Sequence, residues 1–156
     1  MFTVAEISYF HPENLNDSIL PKGCAQKPEE HGSQRAMRVM VVDDELLIAE
    51  TLADILRGEG FQAIALSDGA AAIKWAQTFK IDTLICDVLM PVVDGFEVAG
   101  QIRKLRPECR VILFSGHGDV HGMLANAQAA GQEFEFLAKP VDPEAVISML
   151  QNRKSS

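Results

Sequence analysis

Four places in the chain carry residues that do chemistry once they are brought together. They are Asp43-Asp44-Glu45; Asp87, followed by Val88-Leu89-Met90-Pro91 and Asp94-Gly95; Ser115; and Lys139-Pro140. Each lies at the end of a short apolar run, where a strand gives way to a loop. In an open α/β sheet, ligands bind at the carboxyl ends of the strands. One strand-end aspartate is an ordinary helix cap or turn residue. Four such ends in series, each with a polar residue, read as one site. Three carboxylates that close repel one another unless a cation sits among them. A donor set of oxygens, without His or Cys, favours Mg²⁺, which keeps several waters and takes few protein groups. Asp44 and Asp87 are the expected direct ligands, with the Leu89 backbone carbonyl as a third and Asp43 acting through water. With Lys139 and Ser115 to bind phosphoryl oxygens, the set suits phosphoryl transfer, Asp87 being the in-line nucleophile that becomes an aspartyl phosphate. No general base is required, because a carboxylate has no proton to lose.

The elements that must position these residues alternate along the chain. Residues 39–42 predict a strand, and 46–58 a helix whose Ile48, Leu52 and Ile55 or Leu56 repeat along one face. Gly58 and Gly60 stop it. Residues 61–66 form the second strand, and Ser67-Asp68 caps a helix over 69–79 with Ala70, Ile73, Trp75 and Ala76 as core or helix formers. Trp75 reads as packing. Residues 81–86 are the third strand, and 95–105 a helix ended by Arg106-Pro107. Residues 110–114 are the fourth strand, followed by a helix from the Asp119 cap to about residue 130, closed by Gly131. Residues 134–138 are the fifth strand; Asp142 and Pro143 open a last helix reaching 152. Strand-then-helix repetition of this kind predicts an α/β fold: a five-stranded parallel sheet with helices on both faces. Near-continuous Val, Ile and Leu put strands one, three and four in the middle. The expected architecture is flavodoxin-like and doubly wound, in the order 2-1-3-4-5.

The 156 residues suit one folded domain, and 47% apolar content supplies its core. A net charge of -8 opposes binding to a nucleic-acid backbone. No apolar run approaches the ~20 residues that cross a bilayer, and the start lacks a secretory pattern, so no membrane partner is expected. Cys24, Cys86 and Cys109 are odd in number and widely spaced, giving neither a disulfide framework nor a zinc site; Cys86 reads as a small buried hydrophobe. The cytoplasm is the expected compartment. Residues 1–37 lack periodicity and read as a largely disordered N-terminal extension, although 4–10 could form a short element. Met37, just before the first strand, is a candidate alternative start. Residues 38–152 are the domain and 153–156 a tail.

Residues 38–152 resemble a two-component response-regulator receiver domain of the stand-alone, chemotaxis-receiver-like kind. The resemblance rests on Val41-Val42-Asp43-Asp44-Glu45, Cys86-Asp87-Val88-Leu89-Met90-Pro91, Asp94-Gly95, Phe114-Ser115-Gly116, Ala129-Ala130-Gly131 and Leu137-Ala138-Lys139-Pro140, all in order at family-like spacing. It implies that Asp87 accepts a phosphoryl group from a histidine kinase or histidine phosphotransfer protein with Mg²⁺ bound. The chain would then catalyse its own phosphorylation and dephosphorylation without being a turnover enzyme. It implies a cis Lys139-Pro140 bond. It also implies a switch in which Ser115 is drawn toward the phosphoryl group and the fifth-strand aromatic, Phe136, moves into the space vacated. The other reading of Phe136 is plain core packing. The face of the fourth helix, fifth strand and fifth helix would change, and it is also a candidate homodimer surface.

Three departures stand out. Leu89 is apolar where many receivers are polar, and His117 holds the matching place after Ser115; both positions bear on water's access to the phosphoryl group. The stretch 131–139 is one residue longer than the family pattern. His117 and His121 are four apart, but Gly118 intervenes and no third metal ligand is evident. With only four residues after 152, output through an unknown downstream protein is expected, and the apolar start of the first helix (Leu46, Leu47, Ile48) could dock the kinase although most of it reads as core. Two rivals remain: a receiver-like interaction module that is never phosphorylated, and a metal-dependent phosphatase using Asp87 covalently. The second lacks a cap insertion or a second acid for the leaving group.

Overall fold

The computed structural model describes residues 35–116 and 120–152. The chain divides after Arg35, and every element below belongs to the second unit. The reading of residues 1–34 therefore falls outside the described residues, as do His117, Gly118 and Asp119.

Five strands alternate with five helices: β1 (Arg38–Val42), α1 (Leu46–Gly58), β2 (Gln62–Leu66), α2 (Gly69–Thr78), β3 (Thr83–Asp87), α3 (Gly95–Leu105), β4 (Arg110–Ser115), α4 (Val120–Ala129), β5 (Glu135–Ala138) and α5 (Pro143–Gln151). The strands form one parallel sheet in the order β2-β1-β3-β4-β5, as the alternation predicts. All five carboxyl ends therefore share one rim. β3 is buried along its whole length, and β1 and β4 are buried beyond their first residues, which fits central strands covered on both faces.

Two cores result. Ala49, Leu52, Ala53 and Leu56 of α1 pack with Val146 and Leu150 of α5 over Val39, Val41, Ile85, Ile112 and Phe114. On the other face Ala72 and Ala76, and Val98, Ala99 and Ile102, cover Met40, Leu84, Cys86 and Leu113. Cys86 and Cys109 are buried here and free. Burial pushes the Cys109 thiol up to about 12 and Cys86 higher still, so both stay protonated. The core reading of Cys86 holds.

Local signals end the elements where the residues demand it. Asp68, Asp94 and Asp142 each accept a backbone N–H at a helix start. The turn after α1 comes at Gly60, with φ +91°, rather than at Gly58, which is still helical. Gly131 closes the turn after α4 with φ +71°. Trp75 stacks on Phe79 at 4.4 Å between ring centroids, in keeping with packing.

The buried face of α1 differs from the one expected. Ile48 and Ile55 are exposed, Leu47 is 78% exposed, and the buried stripe is Ala49-Leu52-Ala53-Leu56. Alanines let the helix lie close on the sheet, which turns the larger residues to its flank. On α2, similarly, Ala72 and Ala76 are buried while Ala70 faces out. Leu56→Ala is therefore expected to cost about 2–5 kcal/mol in chemical denaturation, whereas Leu47→Ser should change stability by less than about 0.5 kcal/mol. Equal losses would mean that the stripe is wrongly placed.

Candidate functional site

Asp43 follows the last residue of β1, and Asp87 is the last residue of β3; the sheet sets β1 and β3 side by side, with Val42 paired to Cys86. The carboxylates of Asp43, Asp44 and Asp87 come within 4.8 Å of one another. They are not equivalent. Asp43 is wholly buried and Asp87 is 4% exposed, but Asp44 stands in solvent. Asp43 Oδ1 accepts the Glu45 N–H at 2.9 Å, fixing the turn into α1. Asp87 Oδ1 accepts the Leu89 N–H at 3.3 Å.

The loop after Asp87 is held from both sides. The Val88 N–H donates to the Phe114 carbonyl at 3.0 Å, and the Gly95 N–H donates to the Val88 carbonyl at 2.9 Å. A Cβ on Gly95 would lie 2.2 Å from the Asp87 carbonyl oxygen, so only glycine lets α3 begin against the site. Leu89 is 51% exposed at the loop's outer edge.

Lys139 enters from the far side. Its N–H donates to the Ser115 carbonyl at 2.9 Å, and the Lys139–Pro140 peptide bond is cis, as the resemblance implies. The ammonium donates to Asp87 Oδ2 at 3.0 Å and to Asp43 Oδ2 at 3.3 Å. Burial pulls the lysine's pKa down, but the hydrogen bond to Asp87 and the charges of Asp87 and Asp43 outweigh it, and Lys139 ends above the ordinary lysine value. Asp43 is shifted up. Its burial disfavours the charged form, and Asp87 adds to this, against the pull of the Glu45 N–H and Lys139.

Ser115 ends β4 and is 3% exposed, yet its Oγ has no hydrogen-bond partner among the described residues. An unsatisfied buried hydroxyl is costly and suits a group that awaits an acceptor. Phe136 lies on β5, half-buried, its ring centroid 6.0 Å from that of Phe96. The residues expected from sequence are thus gathered on one rim, with Phe136 set apart in the core beside it.

Two features of the site are invisible in sequence motifs. The Lys139 ammonium sits over the Phe114 ring, 5.2 Å from its centroid. Beside it opens an apolar groove of about 390 Å³ lined by Leu47, Ile48, Ile55, Phe114, Val141 and Pro143 among others. The flank of α1 that the helix turns outward is one wall of this groove.

Among the described residues the cluster is three carboxylates with no nitrogen or sulfur donor, which fits a hard divalent cation, and the Ser115 hydroxyl, without a partner there, suits an oxygen-rich ligand. Because its surroundings disfavour the charged form of Asp43, Asp43→Asn should raise the melting temperature without divalent metal. The wild-type penalty is complete above the raised folded pKa. It disappears as pH falls through that value toward the ordinary 3.8, so the difference between the two proteins should close with acidification. A gap that widens toward low pH would contradict the assignment.

The family model for the response regulator receiver domain matches residues 39–151. Among curated proteins, the Mycobacterium tuberculosis probable transcriptional regulatory protein TcrX is 32% identical over 72% of this chain and 47% of its own length. The Bacillus subtilis transcriptional regulatory protein YbdJ is 30% identical over 76% of this chain and 51% of its own. The chain spans about half the length of these relatives. Among solved structures, the Vibrio cholerae chemotaxis protein CheY4 is 27% identical, with a TM-score of 0.66 over 74% of this chain and 97% of that one.

Proposed function

The chain belongs to the response regulator receiver domain family, and from that premise we propose that Asp87 is its phosphoacceptor. The observation that carries the reading is the buried Asp87 carboxylate, 3.0 Å from the Lys139 ammonium, on the same rim as the Ser115 hydroxyl, which has no partner among the described residues. A carboxylate oxygen of Asp87 attacks phosphorus on a phosphohistidine. The P–O bond forms as the P–N bond breaks, and the leaving imidazole nitrogen takes a proton from water. Lys139 exchanges its hydrogen bond to Asp87 for one to a phosphoryl oxygen, and Ser115 donates its hydroxyl to another.

Asp44, Asp87 and the Leu89 backbone carbonyl would hold Mg²⁺, with Asp43 acting through water. When bound, the ion neutralises charge on the phosphoryl oxygens and on the acids around it. The donor is a histidine kinase or histidine phosphotransfer protein, which the apolar groove on α1 would seat beside Asp87. Output is a protein contact in the cytoplasm. It is set by the inward pull on Ser115 and a shift of Phe136, whose ring has no hydroxyl and so must act through burial.

Mixing the chain with Mg²⁺ and acetyl phosphate tests this directly. One added phosphate by mass is expected on wild type and none on Asp87→Ala; an unmodified wild type would instead favour a module that works without phosphorylation, and turnover of diverse phosphoesters a phosphatase. Leu47→Asp should leave this rate intact while slowing transfer from a kinase. Leu89, half-exposed at the loop edge, shields the phosphoryl group from water in this reading. Leu89→Asn should shorten the lifetime of the phosphorylated state severalfold in a timed decay; an equal or longer lifetime would refute it.

A further inference from the structure

We propose that Phe114 is a positioning residue for Lys139, holding its ammonium in the site while Asp87 changes from carboxylate to acyl phosphate. The inference rests on Asp87 being the acceptor, as proposed above.

The sheet order creates the need. Lys139 springs from the end of β5, whereas its partners Asp87 and Asp43 stand at the ends of β3 and β1. Neighbouring strands are ~4.8 Å apart, so a side chain reaching from β5 to β3 crosses about 10 Å and must pass over the end of β4. Two residues of the β4 end lie beneath that crossing. A Cβ on Gly116 would touch the lysine stem at 3.6 Å from Cδ, ordinary contact, and the Phe114 ring lies under the ammonium at 5.2 Å. Phe114 is fully buried and in register with Asp87 on one side and Leu137 on the other, so its ring has little freedom to leave.

The three holds on the ammonium respond differently to the reaction. The contacts to Asp87 Oδ2 at 3.0 Å and Asp43 Oδ2 at 3.3 Å are ion pairs with groups whose charge is redistributed when phosphorus arrives. Asp87 becomes an acyl phosphate, and its negative charge moves outward to the phosphoryl oxygens. Lys139 must let go of one oxygen and meet another. The ring face attracts a cation within about 6 Å through its quadrupole. That attraction carries no net charge to compete with the phosphoryl group and is unchanged by the transfer. It keeps the ammonium at the rim without fixing it to either acid. An aliphatic residue would fill the same space and supply no such hold. Because the ring also lines the apolar groove, a donor seated there closes the site over the same residue.

The test alters the ring's electrostatics and leaves its shape nearly intact. Phe114 is replaced in the full chain by 4-fluoro-, 3,5-difluoro- and pentafluorophenylalanine, and phosphorylation by acetyl phosphate with Mg²⁺ is timed by mass. The expected result is a stepwise fall in rate, reaching about tenfold for the pentafluoro ring, with unchanged melting temperatures. Phe114→Leu, where it folds, should match the slow end of the series. A flat series in a chain that is phosphorylated overturns the proposal alone; a wild-type chain that takes up no phosphate overturns the underlying reading as well. In ¹³C-lysine spectra the Lys139 ε-methylene should resonate upfield of the other lysines, both before and after loading with beryllofluoride and Mg²⁺. An unshifted methylene overturns the proposal independently of any rate.

Discussion

Negative charge gathered at the ends of two adjacent strands is the constraint from which the rest of the structure follows. β1 and β3 pair in parallel, so Asp43, Asp44 and Asp87 are forced within a few ångströms of one another. Two of the three are buried, where repulsion is least screened. Among the described residues, one cation reaches them. Lys139 lies between Asp43 and Asp87 and keeps its charge despite partial burial, because the two acids outweigh desolvation. A divalent ion and a phosphoryl group would thus enter a site that already balances charge against charge. Each step redistributes an existing field.

A cation that must cross from β5 to the ends of β3 and β1 depends on a stiff frame. The sheet supplies it through hydrogen bonds that continue past the strands proper: Val88 to the Phe114 carbonyl, Lys139 to the Ser115 carbonyl, Asp43 to the Leu66 carbonyl. These lock the loop after β3, the end of β5 and the end of β1 to their neighbours at the level of the acids. On the opposite rim Arg110 pairs with Glu135 and donates to the Met149 carbonyl, tying β4, β5 and α5 together. Gly95 completes the frame by letting α3 start in contact with the Asp87 backbone. A methyl group there would push the helix off the residue whose loop it stabilises.

The sheet order and the gathering of Asp43, Asp44, Asp87, Ser115 and Lys139 were legible in sequence because strand runs and turn residues are local signals, and one parallel sheet sends every strand end to the same rim. The face of α1 was not. Ala49 and Ala53 weigh little in a hydropathy pattern, so the bulkier Ile48 and Ile55 dominated the expected stripe, although close approach to the sheet favours the small residues. The unequal burial of Asp43 and Asp44 also escaped, since adjacent residues at a strand end diverge according to how the next turn begins. Phe114 escaped for a different reason. Alternation along β4 sends its side chain to the opposite face from Ser115, and only the crossing of Lys139 brings a charge onto its ring.

Ser115 and Phe136 show how little rearrangement the proposed switch requires. Among the described residues the buried Ser115 hydroxyl has no partner, and an unmade hydrogen bond there is costly. A phosphoryl oxygen on Asp87 would relieve that cost, and the relief biases the equilibrium toward the state in which the hydroxyl has moved. Phe136 is half-buried among Phe96 and its neighbours, with the Phe96 ring in turn 6.2 Å from that of Phe134. A tyrosine at position 136 would have to find a hydrogen-bond partner in each state. A phenylalanine has only to stay covered, so in the proposed switch the balance would fall to Ser115 and the charge beside it.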